Sequence, residues 1–187
     1  KLQFLYFIAK AATRKRTKKK SQRAKMATAA PPSDADIYYI VETKKTLEVA
    51  AADLEVAVKK YKFGVQHIHN VGNVLRSKGM DFTENVNVFE VCQPMEATRV
   101  MGHDMRFNMA LPCRISVYTD KGKTFVGMIR PETMLRMLTT SPDMAEVAAR
   151  VEAATRSMID EAALGESAPK EAPAATEAPK DEPKKAE

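Results

Sequence analysis

Patterns of apolar and polar residues predict a strand, a helix and a second strand in the first half of the chain. Residues 37–43 are β-branched and aromatic, which is typical of a strand. Thr46 is a candidate N-cap, and apolar side chains recur every three or four positions over residues 47–61, as they do along one side of a helix. Residues 63–71 then alternate between apolar and polar side chains, which predicts a strand half exposed to solvent.

The middle of the chain predicts an irregular connection, a third strand and a short helix. Gly72 and Gly79 lie in a stretch without clear periodicity, so we expect a loop there. Residues 87–92 form an apolar run that predicts a strand, and Pro94 ends it because proline cannot donate to the strand ladder. Residues 95–101 predict a short helix.

A hairpin and two helices complete the pattern. Residues 113–119 and 124–129 predict two strands, and the segment Asp120-Lys121-Gly122-Lys123 between them is a strong hairpin signal. Pro131 begins a short helix, because proline fits the first helical position, and a longer helix follows the cap at residues 141–143. This order of elements predicts an α+β fold in which an antiparallel sheet of about five strands packs against helices as a single domain.

The positive charge of the chain belongs to its first residues. The formal net charge is +6, yet residues 1–25 hold ten Lys or Arg and no acidic residue, whereas residues 26–187 hold 20 basic and 24 acidic ones. The rest of the chain is therefore mildly acidic, which argues against nucleic-acid binding by the folded domain. We place this domain at residues 34–163, between a basic extension over 1–33 and a tail over 164–187. The tail is rich in Ala, Pro, Glu and Lys and is predicted to be disordered.

The basic extension has two interpretations. It either derives from sequence upstream of a natural start at Met26, or it is a genuine transit-like or nucleic-acid-binding arm. Two cysteines are too few for a disulfide framework, which favours a reducing compartment. No run approaches the roughly 18 to 20 apolar residues that cross a bilayer. We therefore expect a soluble protein, cytoplasmic unless residues 1–25 direct it to an organelle.

Two proline-containing neighbourhoods resemble a known family. Val88-Phe89-Glu90-Val91-Cys92-Gln93-Pro94, a short helix, and Leu111-Pro112-Cys113-Arg114-Ile115-Ser116-Val117-Tyr118 are similar to the centre of the domain-of-unknown-function family numbered 302. The helix over residues 47–61 matches the way that family begins, and the resemblance covers about residues 37–160. It implies a compact α+β domain with the general build of TATA-box-binding-protein-like folds, with a dimer as a plausible state, and it implies no established reaction.

Histidine and cysteine residues are the first candidates for chemistry. On an extended strand, His67 and His69 point to the same face, because side chains alternate with a period of two. Cys92 ends one predicted strand and Cys113 opens another, so antiparallel pairing would bring them close. These four residues are candidate ligands of zinc, copper, iron or haem. The alternative is that both cysteines are buried structural residues and both histidines are exposed on an edge strand.

A second interpretation makes one thiol reactive or the cysteine pair redox-active. A reactive thiol needs a lowered pKa from a cation, a helix N-terminus or a base. Cys92 precedes a predicted helix, and Arg114 follows Cys113 in the sequence. Adjacent strand residues point to opposite faces, however, so Arg114 need not reach the sulfur.

The orientation of Glu90 decides whether its carboxylate is unusual. Glu90 shares one strand face with Val88 and Cys92, whereas Phe89 and Val91 share the other. If the face of Glu90 is the inner one, its carboxylate needs a partner or a raised pKa. The alternation favours the other arrangement, in which Phe89 and Val91 pack inward.

Methionines provide a further candidate, because Met101, Met105 and Met109 are spaced by four around His103. A methionine or histidine axial ligand would suit haem. We expect these methionines to fill the core instead, since unbranched thioethers pack readily into irregular spaces.

Three hypotheses about function follow. In the first, the domain binds a small ligand or forms a homodimer without established catalysis, and the candidate ligand-binding residues are Glu90, Cys92, Pro94, Cys113 and Arg114. In the second, it is a thiol- or metal/haem-dependent redox protein that uses the two cysteines with the two strand histidines. In the third, the basic N-terminal extension binds nucleic acid.

Overall fold

The computed structural model describes residues 33–165, and the chain divides after Ile37 into two units. Of the first unit, Lys1–Ile37, the structure describes residues 33–37, which contain the short helix α1 (Asp34–Ile37). The Ser33 hydroxyl donates to Asp36 at 2.7 Å in this turn. The predicted basic extension and disordered tail fall largely on residues 1–32 and 166–187, which lie outside the described residues.

The second unit, which starts at Tyr38, contains the strands and the remaining helices. The predicted elements occur in the predicted order, and a helix over residues 71–77 and a 3-10 helix are additional. The strands are β1 (Tyr38–Thr43), β2 (Gly64–Asn70), β3 (Val86–Cys92), β4 (Cys113–Asp120) and β5 (Lys123–Ile129). The helices are α2 (Leu47–Lys60), α3 (Val71–Ser77), α4 (Pro94–His103), α5 (Pro131–Leu138) and α6 (Pro142–Leu164), with a 3-10 helix at Met105–Ala110. The strands form one antiparallel sheet in the order β1-β5-β4-β3-β2. The predicted α+β class, strand number and single domain are confirmed.

One face of the sheet is buried under α2 and α6, which also pack against each other. Phe89 and Val91 on β3 and Ile115 on β4 are at most 1% exposed in this layer. Burial of such apolar surface is the main stabilising contribution to the fold. The predicted inward orientation of Phe89 and Val91 is confirmed, and Glu90 points to the opposite face.

The predicted cap of α2 and the predicted hairpin turn are observed, whereas the predicted cap of α6 makes no side-chain hydrogen bond. The Thr46 hydroxyl accepts a hydrogen bond from the Val49 amide at the start of α2. Lys121 and Gly122 both have positive φ, 50° and 78°, as a tight hairpin turn requires. Ser141 precedes α6, but its side chain makes no capping hydrogen bond.

Helix α3 was predicted as a loop because glycine lowers helix propensity. Tertiary contacts override this preference. The Arg76 guanidinium donates to the carbonyls of Phe82 and Glu84, which fastens α3 to the segment before β3. Gly72 is required by this packing, because a Cβ there would lie 2.9 Å from the Glu84 carbonyl oxygen.

The expectation that the methionines near His103 fill the core is wrong for two of them. Met105 is 67% exposed and Met109 is 80% exposed. Both lie on the 3-10 helix, where Phe107 is the buried residue instead. Because a 3-10 helix has three residues per turn, the spacing of four does not keep these side chains on one face.

A buried carboxylate joins the end of the sheet to α5 and α6. Glu152 on α6 is 3% exposed and accepts hydrogen bonds from Arg130 at 2.7 Å, from Arg156 at 3.0 Å and from the Glu132 amide at 3.1 Å. The Glu132 amide lies in the first turn of α5, so Glu152 replaces the missing N-cap side chain of that helix. The Arg156 guanidinium also lies 4.4 Å from the ring centre of Tyr39 on β1.

Burial raises the pKa of the Glu152 carboxyl, but the hydrogen bonds from Arg130, the Glu132 amide and Arg156 outweigh it and hold the pKa below its ordinary value. A carboxyl whose pKa is lower in the folded state stabilises the fold above the pKa of the unfolded chain. This contribution disappears as the pH falls through the folded pKa.

We predict that Glu152→Gln lowers the free energy of unfolding by about 3 kcal/mol at neutral pH, because it removes the buried carboxylate that accepts hydrogen bonds from Arg130, Arg156 and the first turn of α5. Urea unfolding at several pH values measures the change. Between about pH 5 and pH 3 the wild type should lose stability faster than the variant, so the difference between them should shrink.

The matched control is Glu146→Gln, which alters an exposed carboxylate on the same helix and should change stability by less than about 0.5 kcal/mol. Equal effects of the two substitutions, or a difference independent of pH, would show that Glu152 is not the charged anchor of α5 and α6.

Candidate functional site

The sheet face opposite α2 and α6, which we call the open face, carries partly exposed apolar side chains. Tyr38 and Ile40 on β1 are 45% and 49% exposed, and Ile129 on β5 is 50% exposed. Tyr118 on β4 stacks on Phe125 of β5, with ring centres 5.4 Å apart. These residues form an apolar surface at the β1 side of the sheet.

Strand register aligns the open face into rows that change from apolar to polar. One row crosses all five strands, from β1 to β2, at Ile40, Gly127, Ser116, Val88 and His69. The next row begins with the apolar pair Tyr38 on β1 and Ile129 on β5. It continues with polar residues, because Arg114 on β4 pairs with Glu90 on β3, and Glu90 pairs with His67 on β2. The open face is therefore amphipathic, and Arg114 and Ser116 lie near the border between its apolar and polar halves.

Gly127 allows β1 and β5 to approach closely on this face. A Cβ at position 127 would lie 2.8 Å from Cγ1 of Ile40 and 2.9 Å from the Tyr39 carbonyl oxygen. The absence of a side chain lets Ile40 lie across the neighbouring strand.

A cavity of about 580 Å³ lies over the apolar part of the open face and continues past the ends of β4 and β5. Its sheet side is formed by Tyr38, Ile40, Val88, Arg114, Ser116 and Tyr118. Helix α5 and the segment after the 3-10 helix provide the opposite wall, through residues such as Met134 and Leu111. Most of these side chains are apolar, which is typical of sites for small organic molecules.

Three hydroxyl groups line the cavity with unused hydrogen-bonding capacity. The side chains of Tyr38, Ser116 and Tyr118 make no hydrogen bond to any described residue between 33 and 165. Burial raises the pKa of the Tyr118 hydroxyl, and nearby Asp120 adds to the rise, so this group is a neutral donor at physiological pH. The cavity thus combines an apolar lining with a few polar groups.

Glu90 is the centre of the polar part of the open face. One of its oxygens, Oε1, lies 3.1 Å from Nε2 of His69 and 3.2 Å from Nη2 of Arg114. The hydrogen bond from His69, followed by that from Arg114, outweighs desolvation and lowers the pKa of the Glu90 carboxyl. His67 packs its ring against His69, with centres 4.4 Å apart. Glu90 therefore remains an anion at neutral pH.

Both cysteines are free and lie at neighbouring ends of β3 and β4. Cys113 pairs with Val91 and faces the helices, whereas Cys92 pairs with Gly64 on the open face. Burial raises the pKa of the Cys113 thiol to about 11, with a contribution from nearby Cys92, and burial also raises the pKa of Cys92. Arg114 points away from the Cys113 sulfur toward Glu90. These environments disfavour thiolates.

The structure places only some of the candidate ligand-binding residues predicted from the sequence in the cavity. Cys113 and Arg114 line the cavity, whereas Glu90, Cys92 and Pro94 do not. Within residues 33–165, no three His, Cys, Asp or Glu side chains are grouped to hold a metal ion. His67 and His69 occupy exposed positions of the edge strand β2, as the alternative interpretation predicted.

Sequence reasoning missed the apolar part of the site. Residues 38–41, Tyr-Tyr-Ile-Val, are apolar at four consecutive positions, so both faces of β1 are apolar. Helices cover only one of these faces, and the other contributes Tyr38 and Ile40 to the cavity. The signal that could have predicted this part of the site is the uninterrupted apolar run in an edge strand, because only one face of that strand packs against helices.

The fold and the site define an α+β domain with an open, five-stranded antiparallel sheet that has helices on one face and an apolar cavity over the other. None of the helices between residues 33 and 165 combines the length and apolar character that crossing a bilayer requires.

A family model described as "Domain of unknown function DUF302" matches residues 39–162, and the chain belongs to this family. A solved structure of an uncharacterized conserved protein DUF302 from Bacillus stearothermophilus is similar, with 31% sequence identity and a TM-score of 0.64. The similarity covers 67% of this chain and 98% of that one. A search of curated proteins finds no match. The predicted family is confirmed, and the family description assigns no function.

We predict that Cys113 reacts slowly with iodoacetamide at neutral pH, because a thiol with a pKa of about 11 is ionised in only about one molecule in ten thousand at pH 7. In the Cys92→Ser variant, the alkylation rate of Cys113 should still be rising above pH 10, where a thiol of ordinary pKa is already largely ionised. Mass spectrometry of quenched samples gives the rate.

The reciprocal variant, Cys113→Ser, reports on Cys92 alone and serves as the control. A rate for Cys113 that levels off by about pH 10 would mean that its pKa is near the ordinary value of 9.0 and that the burial described above does not control its reactivity.

Proposed function

We propose that this domain binds a small, largely apolar molecule in the cavity over its open face. The observation that carries the proposal is the cavity itself, whose volume of about 580 Å³ falls within the range of about 300 to 1,000 Å³ typical of small-molecule sites. Candidate polar contacts are the hydroxyls of Tyr38, Ser116 and Tyr118, which make no hydrogen bond to another residue between 33 and 165. The proposal requires no catalysis.

The rim of the cavity favours an adaptable apolar site. Met109 is 80% exposed at the rim, and Met134 contributes from α5. Methionine side chains are flexible and polarisable, so they adjust to ligands of different shape. An exposed methionine beside a cavity is therefore better explained by contact with a ligand than by core packing.

We predict that Ser116→Trp lowers the affinity for an uncharged environment-sensitive dye such as Nile red by at least about tenfold, because an indole at position 116 fills the cavity. The chain contains no tryptophan, so the introduced residue does not disturb an existing one. Dye fluorescence at fixed protein and increasing dye concentration measures the affinity.

The matched control is Val56→Trp, which adds the same side chain at a 55% exposed position of α2, on the other side of the sheet. This variant should bind the dye like the wild type. Failure of the wild type to bind, or equal binding by Ser116→Trp with its fold intact by circular dichroism, would contradict the proposal.

Self-association through the same face is a second candidate function. It is favoured by the exposure of Tyr38, Ile40 and Ile129 on one surface, because clustered apolar side chains often mark interfaces. In a homodimer the open faces of two copies would cover each other's apolar halves.

We predict for this candidate that light scattering coupled to size exclusion gives a dimer for the wild type and a monomer for Ile40→Glu, which places a charge in the interface. Val56→Glu, on the exposed side of α2, should remain dimeric. A wild type that is monomeric at every concentration would exclude this candidate and leave the ligand proposal intact.

The other hypotheses have less support. The raised thiol pKa values weigh against a thiol-dependent redox role, and the described residues offer no metal-binding group of three. Nucleic-acid binding concerns residues 1–25, which lie outside the described part of the chain. The cytoplasm remains the compartment that we propose.

A further inference from the structure

The amphipathic character of the open face also indicates the class of ligand. The cavity lies over the apolar end of the two rows, and Arg114 belongs both to its lining and to the polar group around Glu90. A molecule lying along these rows would meet apolar side chains over β1 and β5 and polar groups over β4 and β3. The site therefore suits a molecule with one apolar and one polar end.

Hydrogen-bond donors dominate at the boundary between the two halves. The Arg114 guanidinium uses only Nη2, in its bond to Glu90, and its other N–H groups donate to none of the described residues. Ser116 lies two positions further along β4, so its hydroxyl is on the same face and also has no partner within the described chain. A ligand group at this position is best matched if it accepts hydrogen bonds.

Glu90 holds the Arg114 side chain beside the cavity but occupies only one of its hydrogen-bond donors. The Glu90 carboxylate already accepts from His69 and Arg114 on one oxygen, and its side chain is 18% exposed, whereas that of Arg114 is 67% exposed. Guanidinium groups bind carboxylates through paired N–H donors. Arg114 retains enough of these donors to bind a second carboxylate.

We propose that the ligand is an amphipathic carboxylate, with its apolar part over β5 and β1 and its carboxylate bound by Arg114 and Ser116. This inference rests on the function proposed above and adds the chemical class of the ligand. Glu90 acts as a positioning residue that holds the guanidinium at the edge of the cavity.

Calorimetric titration of the full chain tests the proposal with three probes that share one apolar tail: laurate and dodecylammonium below their critical micelle concentrations, and 1-dodecanol below its solubility limit. Laurate should bind more tightly than either of the others. Arg114→Gln should weaken laurate binding by about fivefold, because a largely exposed ion pair contributes up to about 1 kcal/mol, and should weaken dodecanol binding by a clearly smaller factor, because dodecanol carries no charge.

Arg99→Gln is the matched control, since Arg99 on α4 also donates to one carboxylate oxygen, that of Glu96, and does not line the cavity. It should change no affinity. Equal binding of laurate and dodecanol, tighter binding of dodecylammonium, or an unchanged laurate affinity in Arg114→Gln would overturn the carboxylate proposal. If Nile red still binds in such a case, the apolar-ligand function stands; if no probe or dye binds, both proposals fail.

Discussion

The carboxylate of Glu152 is the interaction on which the arrangement of helices and sheet depends. It lies beneath the surface on α6 and accepts from Arg130 at the end of β5, from Arg156 on α6 and from the first turn of α5. Because an unpaired charge at this depth would be strongly destabilising, the three donors must remain close to it. The same contact holds the first turn of α5, and α5 forms one wall of the cavity.

The two faces of the sheet have different physical roles. One is covered by α2 and α6 and supplies most of the buried apolar surface. The other has apolar side chains near β1 and polar ones near β2, joined by continuous rows across the strands. A sheet stabilised from one side can leave its second face available for binding, which explains why exposed Tyr38 and Ile40 are compatible with a stable domain. The thiols, in contrast, lie where burial suppresses their ionisation.

Much of the fold could be predicted from local patterns. The caps and periodicity of α2, the alternation of Phe89 and Val91, and the turn at Lys121 and Gly122 depend on neighbouring residues alone, and all agree with the structure. Helix α3 and the exposed methionines could not be predicted in this way. Gly72 is helical because Arg76 binds the backbone carbonyls of Phe82 and Glu84 in the following segment, and no propensity rule contains that contact.

The candidate site, too, could be predicted only in part. The family could be inferred from the resemblance of the segments around Pro94 and Pro112. The α+β class, the alternation that turns Glu90 away from the core, and the separation of Arg114 from the Cys113 sulfur follow from the periodicity of the sequence. Only the tertiary structure decided which face of β1 the helices cover, and with it the position of the cavity. The apolar residues of β1 would suit either face, and the choice depends on where α2 and α6 find the larger apolar surface.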